Sequence, residues 1–460
     1  MFQDIIDRVP QYSRFMTVKE MDDSTGLLAE RYPEVVEVFE AGKSKKGHPI
    51  YCLKIGKGSK NALAYGCPHP NEPIGAMMLE YFSWYLAENR EFREAMDYTW
   101  YIVKCSDPDG AMLNEGWFNG PFTISNYARN FFRPPSQLQV DWTFPIKYKG
   151  LDFNEPIPET RALMNIIAQA KPSFIYPLHN SGFGGAYWYM SRAISELNEE
   201  LNRIPQKQGI PLDLGEPEAP YAVVFGPAIY KALSIKDEYD YMEKYGNEDP
   251  ARLIRCGSSS GEYAGAFGDV FGLVCEVPYF YDPRINDTSE SGSLRKDAAL
   301  EACAWQEKVY GMMEAVLKET EGYVSEDNVF RIALKEVVQD ALSGISVKRN
   351  WVESQEQFRR KATISEEFEN RYVSKFYTLL SLGMLCRMIG EELEKAAGLA
   401  GSDGEITRVL TDAGMKAQKE LSSLCEVLEN GMNYTVIPIQ KLVRVQLESG
   451  LVIARELNRR

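Results

Sequence analysis

An α/β fold over the first 322 residues, followed by an all-helical extension over 323–460, is what the patterning of this chain predicts. Three observations carry that expectation. Apolar runs at 61–65, 99–103, 173–178 and 271–275 alternate with helical stretches such as 74–88 and 159–170, as a sheet with crossover connections requires. Two of the runs hand over directly to a residue able to bind a metal or carry a proton, and a third opens into a loop that carries two such residues. Beyond 323, strand signals thin out and long amphipathic helical patterns replace them.

Asn61 to Tyr65 reads as a short buried strand that opens into Gly66-Cys67-Pro68-His69-Pro70-Asn71-Glu72-Pro73. After it, Ile74, Met77, Met78, Tyr81, Phe82, Tyr85 and Leu86 recur at helical spacing, with Pro73 suited to the first helical position. The run 173–178 ends at His179 and is followed by Asn180-Ser181-Gly182-Phe183-Gly184-Gly185, again a strand end entering a loop. Glu276 ends the run that starts at Phe271. Residues 297–317 predict the helix that closes this part of the chain. Amphipathic helices are expected at 329–342, 368–393 and 406–428, with a break at 398–404, and the runs 434–439 and 441–457 are less regular.

His69 and Glu72 alone are a weak signal. A loop histidine and a glutamate favoured by a helix dipole would explain them. His179 likewise reads as either a ligand or a satisfied buried histidine. The chain has only three histidines, however, and two stand at strand ends, where ligands gather in open α/β sheets. Two histidines and one carboxylate, with one position left for water, make a catalytic zinc set. A structural site is closed by four protein ligands, usually with cysteine. One Zn2+ ion is therefore the expected cofactor.

Composition bounds the setting. A net charge of −15 argues against nucleic acid or an anionic membrane surface as partner. No apolar run reaches membrane-spanning length, the first eight residues lack the layout of a secretory leader, and eight cysteines are scattered without framework spacing. A cytoplasmic protein is the expectation.

In order along the first 320 or so residues, the chain resembles the zinc carboxypeptidase family, the carboxypeptidase A-like metallopeptidases. The matching features are an opening helix at 17–33, a strand at 35–42, and Gly47-His48-Pro49-Ile50-Tyr51-Cys52-Leu53-Lys54-Ile55-Gly56. They continue with His69 and Glu72, Asp107-Pro108-Asp109-Gly110, Asn126-Tyr127-Ala128-Arg129-Asn130-Phe131, His179 and Glu276. The resemblance implies a mixed, mostly parallel sheet flanked by helices. It implies zinc held by His69, Glu72 and His179, with Glu276 as general base for a water whose pKa the metal lowers. It also implies Arg129, with Asn130 beside it, gripping a substrate carboxylate, Glu262 near the side-chain specificity pocket, and Tyr263 as a candidate for the family's mobile electrophilic tyrosine. Tyr230 is an alternative to Tyr263.

Two departures bear on substrate. The family's asparagine before the carboxylate-binding arginine is Ala128 here, and residues 111–128 contain no arginine or lysine to stabilise an oxyanion, a role for which Arg133 is the substitute. The expected activity is a zinc-dependent metallocarboxypeptidase acting on a peptide or peptide-like substrate. The alternatives are a zinc amidase or deacylase of a peptide-like small molecule, such as a cell-wall peptide, or a catalytically silent binding protein. For residues 323–460 the expectation is a packing or homo-oligomerisation element, or else an active-site cap.

Overall fold

The computed structural model describes residues 2–246, 248–398 and 404–459. Nine strands form its main sheet. They are β1 (Val36–Lys43), β2 (Pro49–Ile55), β3 (Lys60–Tyr65), β4 (Tyr98–Val103), β5 (Phe174–Pro177), β6 (Tyr187–Met190), β7 (Val224–Gly226), β8 (Ile229–Lys231) and β9 (Phe271–Glu276). Across the sheet they lie in the order β1-β2-β4-β3-β5-β9-β6-β8-β7. The central strands β4, β3, β5 and β9 run parallel, and antiparallel pairs flank them on both sides. The expected mixed, mostly parallel sheet is borne out. The short strands β6, β7 and β8 were not anticipated, because three or four residues after a glycine loop give too little alternation to read.

The helices that matter for the site are α1 (Val18–Arg31), α2 (Ile74–Glu88), α3 (Ile124–Asn130), α4 (Pro158–Ala170), α5 (Arg295–Glu319), α6 (Val329–Ser354), α7 (Ser374–Gly398), α8 (Gly404–Gly431) and α9 (Ile439–Arg459). Almost all of α2 is buried, in keeping with its apolar sequence. Helix α6 runs twelve residues past the expected end at 342, and the segment expected to be helical from 368 opens with a π turn, Glu369–Val373, before α7. Of the expected break at 398–404, residues 399–403 lie outside the described residues. Thr435–Val436 forms a two-residue strand paired with Phe280–Tyr281, so the C-terminal region is helical apart from two short strands that join it to the preceding part of the chain.

Residues from both sides of position 322 pack into a common core. One core cluster takes in Ile74 and Leu178, Cys275, Leu385 and Val452. Leu442, Val443, Leu447, Leu451, Val452 and Ile453 of α9 are all buried, each contributing about 1.5–3 kcal/mol relative to exposure. A Cβ on Gly450 would lie 2.5 Å from Tyr176 Cε1, so α9 meets β5 at a distance only glycine permits. Helix α7 packs against α3 equally closely, since a Cβ on Gly383 would fall 1.8 Å from the Ala128 carbonyl oxygen. These apolar faces are spent within the chain.

Candidate active site

Sheet topology assembles the site. Strands β3, β5 and β9 are adjacent and parallel, with Tyr65 opposite Pro177 and Gly272 opposite Ile175. Their carboxyl ends therefore lie side by side. β3 leads into the loop carrying His69 and Glu72, β5 ends two residues before His179, and Glu276 is the last residue of β9.

His69, Glu72 and His179 are buried, and they can each turn one ligand atom to a common point, all within 4.8 Å of one another. His69 Nδ1 is 3.1 Å from Glu72 Oε1, and His179 Nδ1 is 3.1 Å from both His69 Nδ1 and Glu72 Oε2. Donors at about 2.0–2.1 Å from a tetrahedral zinc stand about 3.3 Å apart, so the set fits such an ion with little adjustment. The other nitrogen of His179 supports the same conclusion. His179 Nε2 lies 3.0 Å from Asp141 Oδ2, which takes that nitrogen's N–H and leaves Nδ1 as the atom turned to the cluster, able to bind a metal once its own proton is lost. Asp141 is in turn held by the Tyr65 hydroxyl at 2.5 Å, and that hydroxyl also meets Ser260 Oγ. From behind, Gln446 of α9 donates to the His179 carbonyl at 2.6 Å and to the Cys275 carbonyl at 3.4 Å. The backbone N–H of Asn180 donates to Glu72.

Electrostatics follow from burial and these contacts. Burial, reinforced by the Arg133 charge, depresses the His69 imidazole to about 4. Burial works against charging His179 too, but its bonds to Asp141 and Glu72 win and hold its pKa well above the usual value. Glu72 is likewise held below the carboxylate range, the two histidines outweighing its burial. Glu276 moves the other way. Burial, then the negative charge of Glu72, pushes its carboxyl well above the ordinary value.

A cavity of about 470 Å³ opens beside this corner, lined by His69, Glu72, Arg133 and Glu276 among others. Arg133 reaches into it from the loop after α3, placing Nη2 2.7 Å from His69 Nδ1 and Nη1 3.2 Å from Glu72 Oε1. It donates to the lone pair a metal would take, so the two contacts with His69 are mutually exclusive. From the C-terminal region, Glu369, Tyr377, Leu380, Ser381 and Met384 form part of the wall.

Of the other residues expected here, the structure places four elsewhere. Arg129 is exposed and bonds to Ser125, Gln418 and Ser422, because α7 and α8 cover this face of α3. Asn130 turns back to the Asn126 carbonyl. Glu262 accepts from Ser234 and pairs with Lys236 at 3.4 Å. Tyr263 packs its ring on Phe144 and Phe267. None of the four lines the cavity, whereas Tyr230 does. Asp141 and Gln446 were missed. Asp141 offered only an acid between Val140 and Trp142, and Gln446 offered only a polar residue on an apolar helix face.

Residues 21–212 match the family model of the zinc carboxypeptidases. That span contains His69, Glu72, Asp141 and His179 and stops before Glu276. The resemblance read from the motifs is thus borne out over this part of the chain. Among solved structures, carboxypeptidase A from Helicoverpa armigera is 15% identical, with 58% of this chain and 65% of that one covered and a TM-score of 0.38. Bovine thrombin-activatable fibrinolysis inhibitor, solved with tick carboxypeptidase inhibitor, is 14% identical over 74% and 98% of the respective chains, with a TM-score of 0.34. A metallo-carboxypeptidase from Burkholderia cenocepacia is 15% identical over 57% and 60%, with a TM-score of 0.32. No curated protein matches the chain. Among the described residues, no helix is long and apolar enough to cross a membrane.

Proposed function

We propose that the protein is a zinc-dependent metallocarboxypeptidase that hydrolyses the C-terminal amide of a short peptide or peptide-like substrate. The observation that carries this reading is the convergence of His69, Glu72 and His179 at the mouth of a cavity that Glu276 also lines. The Nδ1 atoms of His69 and His179 and the Glu72 carboxylate would hold zinc, which when bound would supply Lewis acidity toward a carbonyl oxygen and lower the pKa of water. Glu276 takes the proton of the attacking water on its carboxylate and delivers it to the departing amine nitrogen. Its raised proton affinity suits both halves of that transfer. Asp141 fixes the ring orientation and tautomer of His179. Arg133, whose guanidinium already lies in the cavity, pairs with negative charge on the substrate and takes the place of the arginine absent from 111–128. The side chains of α7 shorten the cavity and favour small substrates.

Zinc-loaded wild type and Glu276→Gln are incubated with a peptide library that includes γ-glutamyl and D-residue peptides, and products are followed by mass spectrometry. Wild type is expected to remove single C-terminal residues, and the variant to lose about 10²–10⁴ in rate. If neither cleaves while His69→Ala abolishes zinc binding, the metal site stands and peptide exohydrolysis is wrong. The outward position of Arg129 favours a second reading, an amidase or deacylase that needs no free carboxylate. Cleavage of C-terminally amidated peptides as fast as free acids supports that reading over the first.

A further inference from the structure

A second group of acids lines the same cavity, and hydrolysis makes no use of it. Asp213, Glu216 and Glu218 come from the loop between β6 and β7, and Glu369 comes from the π turn before α7. Glu216 is neutralised by Arg295, whose Nε is 2.8 Å away. The other three meet only uncharged donors or none. Asp213 accepts from the backbone N–H groups of Gly185 at 3.0 Å and Gly215 at 3.2 Å. Glu218 accepts from the hydroxyls of Tyr189 at 2.9 Å and Tyr187 at 3.4 Å. Glu369 Oε2 is buried with no hydrogen-bond partner.

The surroundings are those of a binding site. Ser181, 8% exposed, also lines the cavity, and its Oγ, which can accept from a cation, has no partner. A Cβ placed on Gly215 would lie 3.5 Å from both Asp213 Oδ1 and Glu369 Oε2, so both carboxylates border the same glycine. Tyr187, Tyr230 and Tyr377 line the same space, and aromatic faces attract cations. Burial lifts Asp213 to about 6 and carries Glu369 well above its ordinary range, with neighbouring acids adding to both shifts. Lys348 acts on Glu369 in the opposite sense, but less than Asp213 and Glu216 do. Acids strained in this way gain most from a positive partner.

We propose that Asp213, Glu218 and Glu369 form a cation subsite that selects substrates bearing an ammonium or guanidinium group, on the released residue or at the amino end of a short peptide. The subsite rests on the hydrolase reading for its setting, and its test lets the two fail separately. Binding is measured by calorimetry on zinc-loaded Glu276→Gln full chain. One arm compares acetyl-Ala-Ala-Lys with acetyl-Ala-Ala-norleucine, and the other compares Ala-norleucine with acetyl-Ala-norleucine. Hydrolysis of the same peptides by wild type is followed in parallel.

In at least one arm the cationic probe is expected to bind about tenfold or more tightly than its neutral match. Its heat should vary with buffer, because the acids release protons as the cation enters. Adding Glu369→Gln, or separately Glu218→Gln, is expected to lower that ratio by about tenfold. Equal binding of cationic and neutral probes overturns the proposal, as does a ratio that survives both substitutions in folded variants. Cation-selective binding without hydrolysis by wild type leaves the subsite standing and removes the hydrolase reading. Hydrolysis without cation preference does the reverse.

Discussion

His69, Glu72, His179 and Glu276 hang from the ends of three neighbouring strands, whereas the side chains that enclose the cavity beside them come from loops and helices brought in from distant parts of the chain. Backbone ladders hold the first group. Between β3 and β5 the register runs from Ala62 opposite Phe174 to Tyr65 opposite Pro177, and a one-residue slip would carry His179 to the other face of the sheet. Helix packing and side-chain bonds, with no strand ladder, hold the second group. Leu380, Ser381 and Met384 reach the cavity because Gly383 lets α7 close on the Ala128 carbonyl. A candidate metal corner fixed by strand pairing tolerates a rebuilt wall, so on the proposed reading substrate choice can change while the chemistry stays.

That contrast can be broken at either side. Asp141→Ala strikes the corner, and zinc affinity is expected to fall about 10–100-fold in competition with a chelator. The zinc-free chain should also lose stability, because buried His179 is left without its Asp141 partner. Gly383→Ala strikes the wall, since the added methyl meets a backbone oxygen that cannot yield without moving a helix. Urea unfolding should show a loss of about 1–3 kcal/mol, with zinc affinity close to that of wild type. If Gly383→Ala instead weakens zinc as strongly as Asp141→Ala, the two regions are one mechanical unit and the contrast fails.

A smaller effect sharpens the comparison through pH. Asp213 rises from its ordinary value to about 6 on folding, so the folded chain holds that proton more tightly than the unfolded chain. The resulting penalty is absent below the unfolded pKa and fully present above about 6. Stability therefore falls as pH rises between those values. Asp213→Asn is expected to remove about 1–2 kcal/mol of that fall, read from urea unfolding at pH 4 and pH 7.

The same division explains what could be read in advance. His179 and Glu276 each follow an apolar run directly, and His69 and Glu72 lie in the loop that opens from another, so the sequence places all four at or just past strand ends and the sheet brings those ends together. Arg129 offered no such guide. Whether it faces a cavity or solvent depends on Gln418 and Ser422, nearly three hundred positions away. Ala128 read as a missing hydrogen bond to a substrate carboxylate, whereas its backbone carbonyl is where Gly383 lets α7 come close. Glu369 appeared as one more acid in a helical pattern. Its burial needs the Asp213 loop and the π turn together, and neither has a readable period. The helices after 322 were legible as helices, yet nothing in their own pattern revealed that their apolar faces belong to the sheet.

Gln446 ties the His179 and Cys275 carbonyls from a helix that the ribosome adds long after it has made both strands. All four candidate residues are therefore present in the nascent chain well before the clamp behind them exists. Folding of this corner has to wait for late synthesis, and a chain released early would carry the full set of ligands without the support that aligns two of the strands bearing them.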